Sequence, residues 1–246
     1  MEDSVEQYKT YFSEVLDSWG LELTEEKYHQ FVKFYEMLVD TNKHMNLTTI
    51  TEPEDVVKKH FLDSLAVSNL VDFDFVDTIV DIGTGGGFPG IPLKIMYPEK
   101  TFLLVDSLNK RIRFLNEVIA SLGLEKIEAI HGRAEEIGKN NLYREGFDLC
   151  VSRAVANLST LSELCLPLVK VGGMFVSYKS GTIEEEFNQA KKAIRLMGGR
   201  DASVEHFSIA KTDMQRSFVM ISKAIATPKK YPRNPGTPGK MPILGE

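Results

Sequence analysis

Cysteine is scarce in this 246-residue chain: the two present, Cys150 and Cys165, sit in apolar runs, with no His or further Cys at ligand spacing. That excludes a disulfide framework and a structural zinc site, and it predicts buried free thiols and no metal. Long apolar stretches are also missing. Runs such as Phe102 to Val105 and Val219 to Ile221 fall far short of a membrane span, and the acidic start of the chain lacks the basic opening of a secretory leader. The expectation is a soluble cytoplasmic protein, taken as a monomer. Acid is absent from one long stretch: Met214 to Gly245 carries six bases and no acid, whereas Met1 to Glu36 carries nine acids against three bases. The net charge of -6 alone would argue against a nucleic-acid partner. Its sorting along the chain leaves the C-terminal stretch as an exception.

With 43% hydrophobic residues, the chain can bury the core of one generous domain or a domain with an appendage. Val5, Tyr8, Phe12, Val15, Leu16 and Trp19 recur at helical spacing before a stop at Gly20. Thr24 is the expected N-cap of a second helix, and Pro53 the expected first residue of a third. Residues 1–72 therefore read as a helical segment packed on the larger domain C-terminal to it. From Val76 the pattern changes to short β-branched runs separated by amphipathic stretches, as in βαβ units. Strands are predicted at Thr78 to Asp81, Thr101 to Asp106, Ile127 to Ile130, Phe147 to Ser152 and Gly173 to Lys179, with helices between them. Val204 to Ile209 and Ser217 to Lys223 lie too close for a crossover and should pair as an antiparallel hairpin. This is an α/β fold, a doubly wound, mostly parallel sheet over residues 73–226. Residues 227–246 form a basic tail whose Pro and Gly content argues against regular structure.

The stretch Val80-Asp-Ile-Gly-Thr-Gly-Gly-Gly-Phe-Pro-Gly90 joins the first strand to a helix and holds five glycines in eight positions. In an open α/β sheet the ligand crevice lies beyond the carboxyl ends of the strands, and glycine lets the backbone approach a nucleotide there. Gly85-x-Gly87-x-x-Gly90 formally satisfies the dinucleotide fingerprint. Against it stands Asp81, expected at the mouth of the turn, where its carboxylate would repel a pyrophosphate and suit a ligand carrying an ammonium and a sulfonium. Gly83 and Gly85 are the turn's candidate contacts. Asp106, 23 residues after Gly83, has the offset of an acid that binds ribose hydroxyls, a role common to both cofactor classes. Ala134 and Glu135 come after the third strand, where an adenine ring could lie, and Arg153 ends the fourth, pointing into the expected crevice.

Asn46-Leu-Thr48, His60-Phe-Leu-Asp-Ser64, the glycine stretch through Phe88-Pro89-Gly90, Gly132-Arg-Ala-Glu135, Ser152-Arg-Ala154 and the tail from Tyr231 to Lys240 together resemble the small-subunit ribosomal RNA methyltransferases called RsmG or GidB. The resemblance spans nearly the whole chain. It implies a Rossmann-like, S-adenosylmethionine-dependent enzyme that methylates N7 of a guanine in the 530 loop of 16S ribosomal RNA, with cofactor contacts at Gly83, Phe88, Ala134, Glu135 and Arg153. An N7 lone pair needs no deprotonation, so no general base is expected and no catalytic side chain is assigned. RNA contacts are expected at Lys179 and, in the tail, at Lys229, Lys230, Arg233 and Lys240, with Lys110, Arg111 and Arg113 as further cations and Tyr178 and Tyr231 as stacking candidates. Three rivals stand beside this reading: an NAD(P)-dependent oxidoreductase, which lacks an evident proton-donor pair; a non-catalytic ribosomal-RNA-binding assembly factor of the same fold; and a methyltransferase for a small molecule or protein, which leaves the basic tail without a purpose.

Overall fold

The computed structural model describes residues 5–209, 212 and 215–245. Helices α1 (Lys9–Ser18) and α2 (Glu25–Asn42) open the chain, and the Thr24 hydroxyl caps α2 by accepting from the Lys27 N–H at 3.3 Å. Pro53 starts a continuous helical stretch, α3 (Pro53–Val56), a π-helical turn (Val57–Leu62) and α4 (Asp63–Leu65). The π-helical turn carries His60, and π-bulges are frequent at functional sites.

An alternating core comes next. It runs β1 (Thr78–Ile82), α5 (Gly90–Met96), β2 (Thr101–Asp106), α6 (Asn109–Ser121), β3 (Ile127–His131), α7 (Ala134–Ile137), β4 (Phe147–Arg153), α8 (Leu158–Cys165), β5 (Val169–Ser180), α9 (Glu184–Leu196), β6 (Gly199–Ser208) and β7 (Gln215–Lys223). A one-turn helix, α10 (Thr237–Lys240), lies in the tail that was expected to be irregular. The seven strands lie in the order β3-β2-β1-β4-β5-β7-β6. The first five are parallel, and β7 runs antiparallel to both β5 and β6, as the short connection requires.

Alternation along the strands assigns side chains to two cores. Ile79, Phe102, Leu104, Leu149 and Val151 face a layer that joins α1, α2, the 53–67 stretch, α5 and α6. Val80, Ile82, Leu103, Val105 and Cys150 face the other side, covered by α8 and α9. Both cysteines are buried free thiols. Among the described residues no helix is long and apolar enough to cross a membrane.

Candidate functional site

The chain leaves β1 in a turn that only glycine can make. Gly83 has φ +72°, its N–H donates to the Val105 carbonyl at 2.9 Å, and a Cβ placed on it would lie 2.4 Å from a methyl of Val155. Asp106, buried at the end of β2, anchors the turn. Its Oδ2 accepts from the Gly85 N–H at 3.0 Å and from Arg111 at 3.2 Å, and its Oδ1 accepts from the Leu108 N–H at 2.9 Å. A carboxylate offers about four lone-pair sites, so one acceptor position on Oδ1 remains for a ligand.

Over this turn lies a cavity of about 180 Å³, lined by Ile82, Gly83, Val105, Asp106, Ala134, Glu135, Val155, Thr160, Leu164, Gly236 and Gly239 among others. Glu135 is buried beside it, and its Oε1 accepts from the Gly236 N–H at 2.7 Å and from Arg133 at 3.4 Å. Its Oε2 has no partner among the described residues. The first cavity thus combines apolar walls with two acids at the carboxyl ends of adjacent strands.

Asp81 does not stand at its mouth. It shares the face of β1 with Ile79, is fully buried, and accepts the Gly90 N–H at 3.0 Å through Oδ2. Its Oδ1 and the Thr84 hydroxyl lack any hydrogen bond of ordinary geometry. Burial pushes the Asp81 carboxyl up to about 7, with the neighbouring Thr84 hydroxyl and the Gly90 N–H easing it only in part. The expected fixed negative charge at the entrance is therefore corrected to a buried, readily protonated acid that holds the start of α5. The argument that Asp81 repels a pyrophosphate falls with it.

Across the β4–α8 connection lies a second cavity of about 410 Å³, whose lining includes Lys59, His60, Asp63, Arg153, Ala154, Tyr178, Lys179, Glu186 and Arg216. Arg153 belongs to it and not to the first cavity. Its guanidinium donates to Asp63 Oδ2 at 2.7 Å and to the Lys59 carbonyl at 3.2 Å, and lies 3.1 Å from His60 Nδ1. Arg216 closes the set on Asp63 Oδ1 at 2.5 Å. Burial first, and the nearby Arg153 charge second, lower the His60 pKa to about 3, so the ring is neutral and its Nδ1 accepts from Arg153. Its Nε2 then donates to the Thr48 hydroxyl at 2.8 Å. Phe88 is buried under this group, stacked on His60 at 4.3 Å with the Arg153 guanidinium 5.1 Å from its ring centre. The lining holds four cationic side chains (Lys59, Arg153, Lys179, Arg216) against two acids (Asp63, Glu186), so the cavity is net positive.

A model of the family described as rRNA small subunit methyltransferase G matches residues 27–219. Proteins named ribosomal RNA small subunit methyltransferase G are 51% identical in Lachnoclostridium phytofermentans, covering 95% of this chain and 96% of the relative, and 50% identical in Staphylococcus epidermidis, covering 95% and 98%. The chain belongs to the rRNA small subunit methyltransferase G family. It is accordingly a methyltransferase, with the doubly wound sheet and terminal hairpin expected of it. A solved structure of a mutant of MtNAS is 15% identical, with a TM-score of 0.53 over 89% of this chain and 78% of that one, a likeness of fold alone.

In this family member the expected site residues divide. Gly83, Asp106, Ala134 and Glu135 line the first cavity, and Gly85 supports it through Asp106. Arg153 and Lys179 line the second, with Lys179 paired to Glu186 at 2.6 Å, and Phe88 lies buried behind it. Of the tail cations, Lys229, Lys230 and Lys240 are exposed. Arg233 is not the free cation that was expected. Its Nη2 donates to Glu163 Oε2 at 2.7 Å, its Nε to both carboxylate oxygens, and its N–H to Oε1 at 2.7 Å. Arg111 is likewise engaged, with Asp106, whereas Lys110 and Arg113 are exposed. Tyr178 is buried with its hydroxyl on the Ser64 carbonyl at 2.8 Å, which removes it as a base-stacking surface. Residue-by-residue reading missed Val155, Thr160, Leu164, Gly236 and Gly239. The first three lie in or just after the β4–α8 connection, a signal available from topology; the glycines come from a tail whose docking only the folded chain reveals.

Proposed function

We propose that this chain transfers the methyl group of S-adenosylmethionine to N7 of a guanine in the 530 loop of 16S ribosomal RNA, with the first cavity for the adenosine part of the cofactor and the second for the RNA. The donor set of the first cavity fits that cofactor. Asp106, with its open acceptor position, suits ribose hydroxyls; Ile82, Val105 and Leu164 suit the faces of an adenine ring; Glu135 and backbone groups at Ala134 suit its polar edge. When bound, S-adenosylmethionine supplies an electrophilic methyl group on a cationic sulfur. Gly83 gives the backbone its close approach, and the apolar walls exclude water.

Guanine N7 carries an in-plane lone pair, so no side chain has to remove a proton. The residues' task is alignment, which for well-oriented reactants lowers a barrier by roughly 7 kcal/mol or more. A bare cation beside the purine would oppose the charge that reaches its ring. Asp63 offsets the charge of Arg153, which leaves that guanidinium to hold the rim in place through Lys59 and His60. The cationic excess of the second cavity, with Lys229, Lys230 and Lys240 outside it, suits phosphates. The division into an N-terminal helical segment (1–72), a catalytic domain (73–226) and a tail (227–246) belongs to the same proposal, and the protein works as a monomer in the cytoplasm, where its substrate is assembled.

The observation that carries the proposal is the pairing, at one sheet edge, of a glycine cradle holding two buried acids with a net-positive cavity. The test is transfer of labelled methyl from S-adenosylmethionine to small ribosomal subunits lacking the modification, followed by mapping of the labelled nucleotide. Label on a guanine N7 in the 530 loop supports it; unlabelled RNA, or calorimetric binding of NAD in preference to S-adenosylmethionine, refutes it.

A further inference from the structure

The tail expected to reach for RNA is folded back onto the enzyme, and it completes the first cavity. Gly236 and Gly239 line that cavity, and the Gly236 N–H donates to Glu135, a buried acid of the same cavity. Thr160, another lining residue, donates its hydroxyl hydrogen to the Pro238 carbonyl at 3.0 Å. Upstream, Arg144 gathers the carbonyls of Thr227 and Tyr231 at 2.7 and 2.9 Å. Between these two points of attachment sits Arg233 on Glu163, whose side chain is 1% exposed and lies on α8 between Thr160 and Leu164. The carboxylate that holds the tail therefore rides on the helix that walls the cavity. Charge-assisted, two-pronged pairs of this kind fix geometry as well as supply attraction.

We propose that residues 231–240 are the closing wall of the cofactor cavity and that Glu163 and Arg233 are the positioning residues that latch it, so that cofactor binding and tail docking are thermodynamically linked. The inference rests on reading the first cavity as the cofactor's. Linkage is reciprocal: whatever factor the docked tail adds to cofactor affinity, bound cofactor must add to the stability of the docked tail. A tail that served only to bind RNA would show no such coupling. The Gly236 amide is a built-in reporter, because its hydrogen bond to Glu135 breaks when the tail lifts.

The test compares wild type, Arg233→Ala and Arg233→Lys by calorimetry with S-adenosylhomocysteine, and tracks hydrogen exchange at Gly236 with and without that ligand. Arg233→Ala should weaken binding tenfold or more, and Arg233→Lys, which keeps the charge and the backbone bond but loses the fork, should fall between. Ligand should slow Gly236 exchange in the wild type by at least tenfold. In methyl transfer the KM for S-adenosylmethionine should rise in Arg233→Ala by a larger factor than the KM for ribosomal subunits, whose salt dependence should keep its slope because Lys229, Lys230 and Lys240 remain on the chain. Glu163→Gln, which retains the side chain's shape, should reproduce the affinity loss if Arg233→Ala proves too poorly folded to measure. Wild-type binding with affinity in both Arg233→Ala and Glu163→Gln unchanged within twofold, or Gly236 exchange indifferent to ligand, overturns the linkage. A wild type that binds no S-adenosylhomocysteine overturns the cofactor reading itself, which separates the two failures.

Discussion

Replacing Asp81 with asparagine should make the protein more stable, by an amount that grows with pH. The folded chain keeps the Asp81 carboxyl protonated up to about 7 because burial disfavours the charged form, while the unfolded chain releases that proton near 3.8. Between those values the folded state binds the extra proton, so each unit of rising pH removes about 1.4 kcal/mol of stability. The loss is complete once pH exceeds the folded value and then totals about 4 kcal/mol, an upper figure for a single buried group. Asparagine is neutral throughout, and its Oδ1 can accept the Gly90 N–H that Asp81 Oδ2 accepts now. The advantage of Asp81→Asn should therefore be near zero at pH 4, about 3 kcal/mol at pH 6 and about 4 kcal/mol at pH 8. Urea midpoints of both proteins across that range, read with equal m-values, measure it directly. A difference that stays constant with pH, or a wild-type carboxyl that titrates near 4 by carbon NMR, refutes the reasoning.

Gly83→Ala forces a side chain into a left-handed backbone and against Val155, so it should cost about 1–2 kcal/mol in stability and, by filling the cradle, reduce S-adenosylmethionine affinity more than tenfold by calorimetry. Asp63→Ala strands two largely buried guanidinium groups, Arg153 and Arg216, and should destabilise by about 3 kcal/mol in denaturant unfolding. A loss below about 1 kcal/mol would mean that Asp63 does not organise the second cavity. The triple change of Lys229, Lys230 and Lys240 to alanine should leave cofactor affinity intact and reduce the slope of log affinity for the RNA against log salt by about 2, at roughly 0.7 per phosphate on single strands. An unchanged slope would remove these lysines from the interface.

Much of the fold was legible because periodicity reports it directly. The β-branched runs separated by amphipathic stretches place all seven strands, and the short gap before Ser217 dictates the hairpin. The sixth strand begins at Gly199, not Val204, because Gly199–Ser208 is a sheet edge whose Arg200 and Asp201 face solvent and leave little apolar alternation to read. A single turn such as α7 is too short to show a period. That Gly83, Asp106, Ala134 and Glu135 line one cavity was legible because strand ends in a parallel sheet share one edge. Asp81 was misplaced although its signal was present. Side chains alternate along a strand, so Asp81 joins Ile79 in facing the layer of α5, and Ile82 faces the cavity.

The charge sorting along the chain had a different origin from the one expected. Of the six bases between Met214 and Gly245, three find acids elsewhere in the sequence: Arg216 on Asp63, Lys223 near Glu145 at 3.3 Å, and Arg233 on Glu163. Each pair joins the last part of the chain to an element laid down much earlier, and Lys223 and Glu163 are buried, where an unpaired charge is too costly to keep. An acid-free stretch in an acidic protein is therefore first of all a set of counter-ions for a core assembled upstream. In the proposed function Lys229, Lys230 and Lys240, all exposed, are the cations left to face RNA, and they sit on a tail that Arg233 joins to Glu163. On that proposal, substrate-facing charge and the wall of the first cavity are parts of one docked segment.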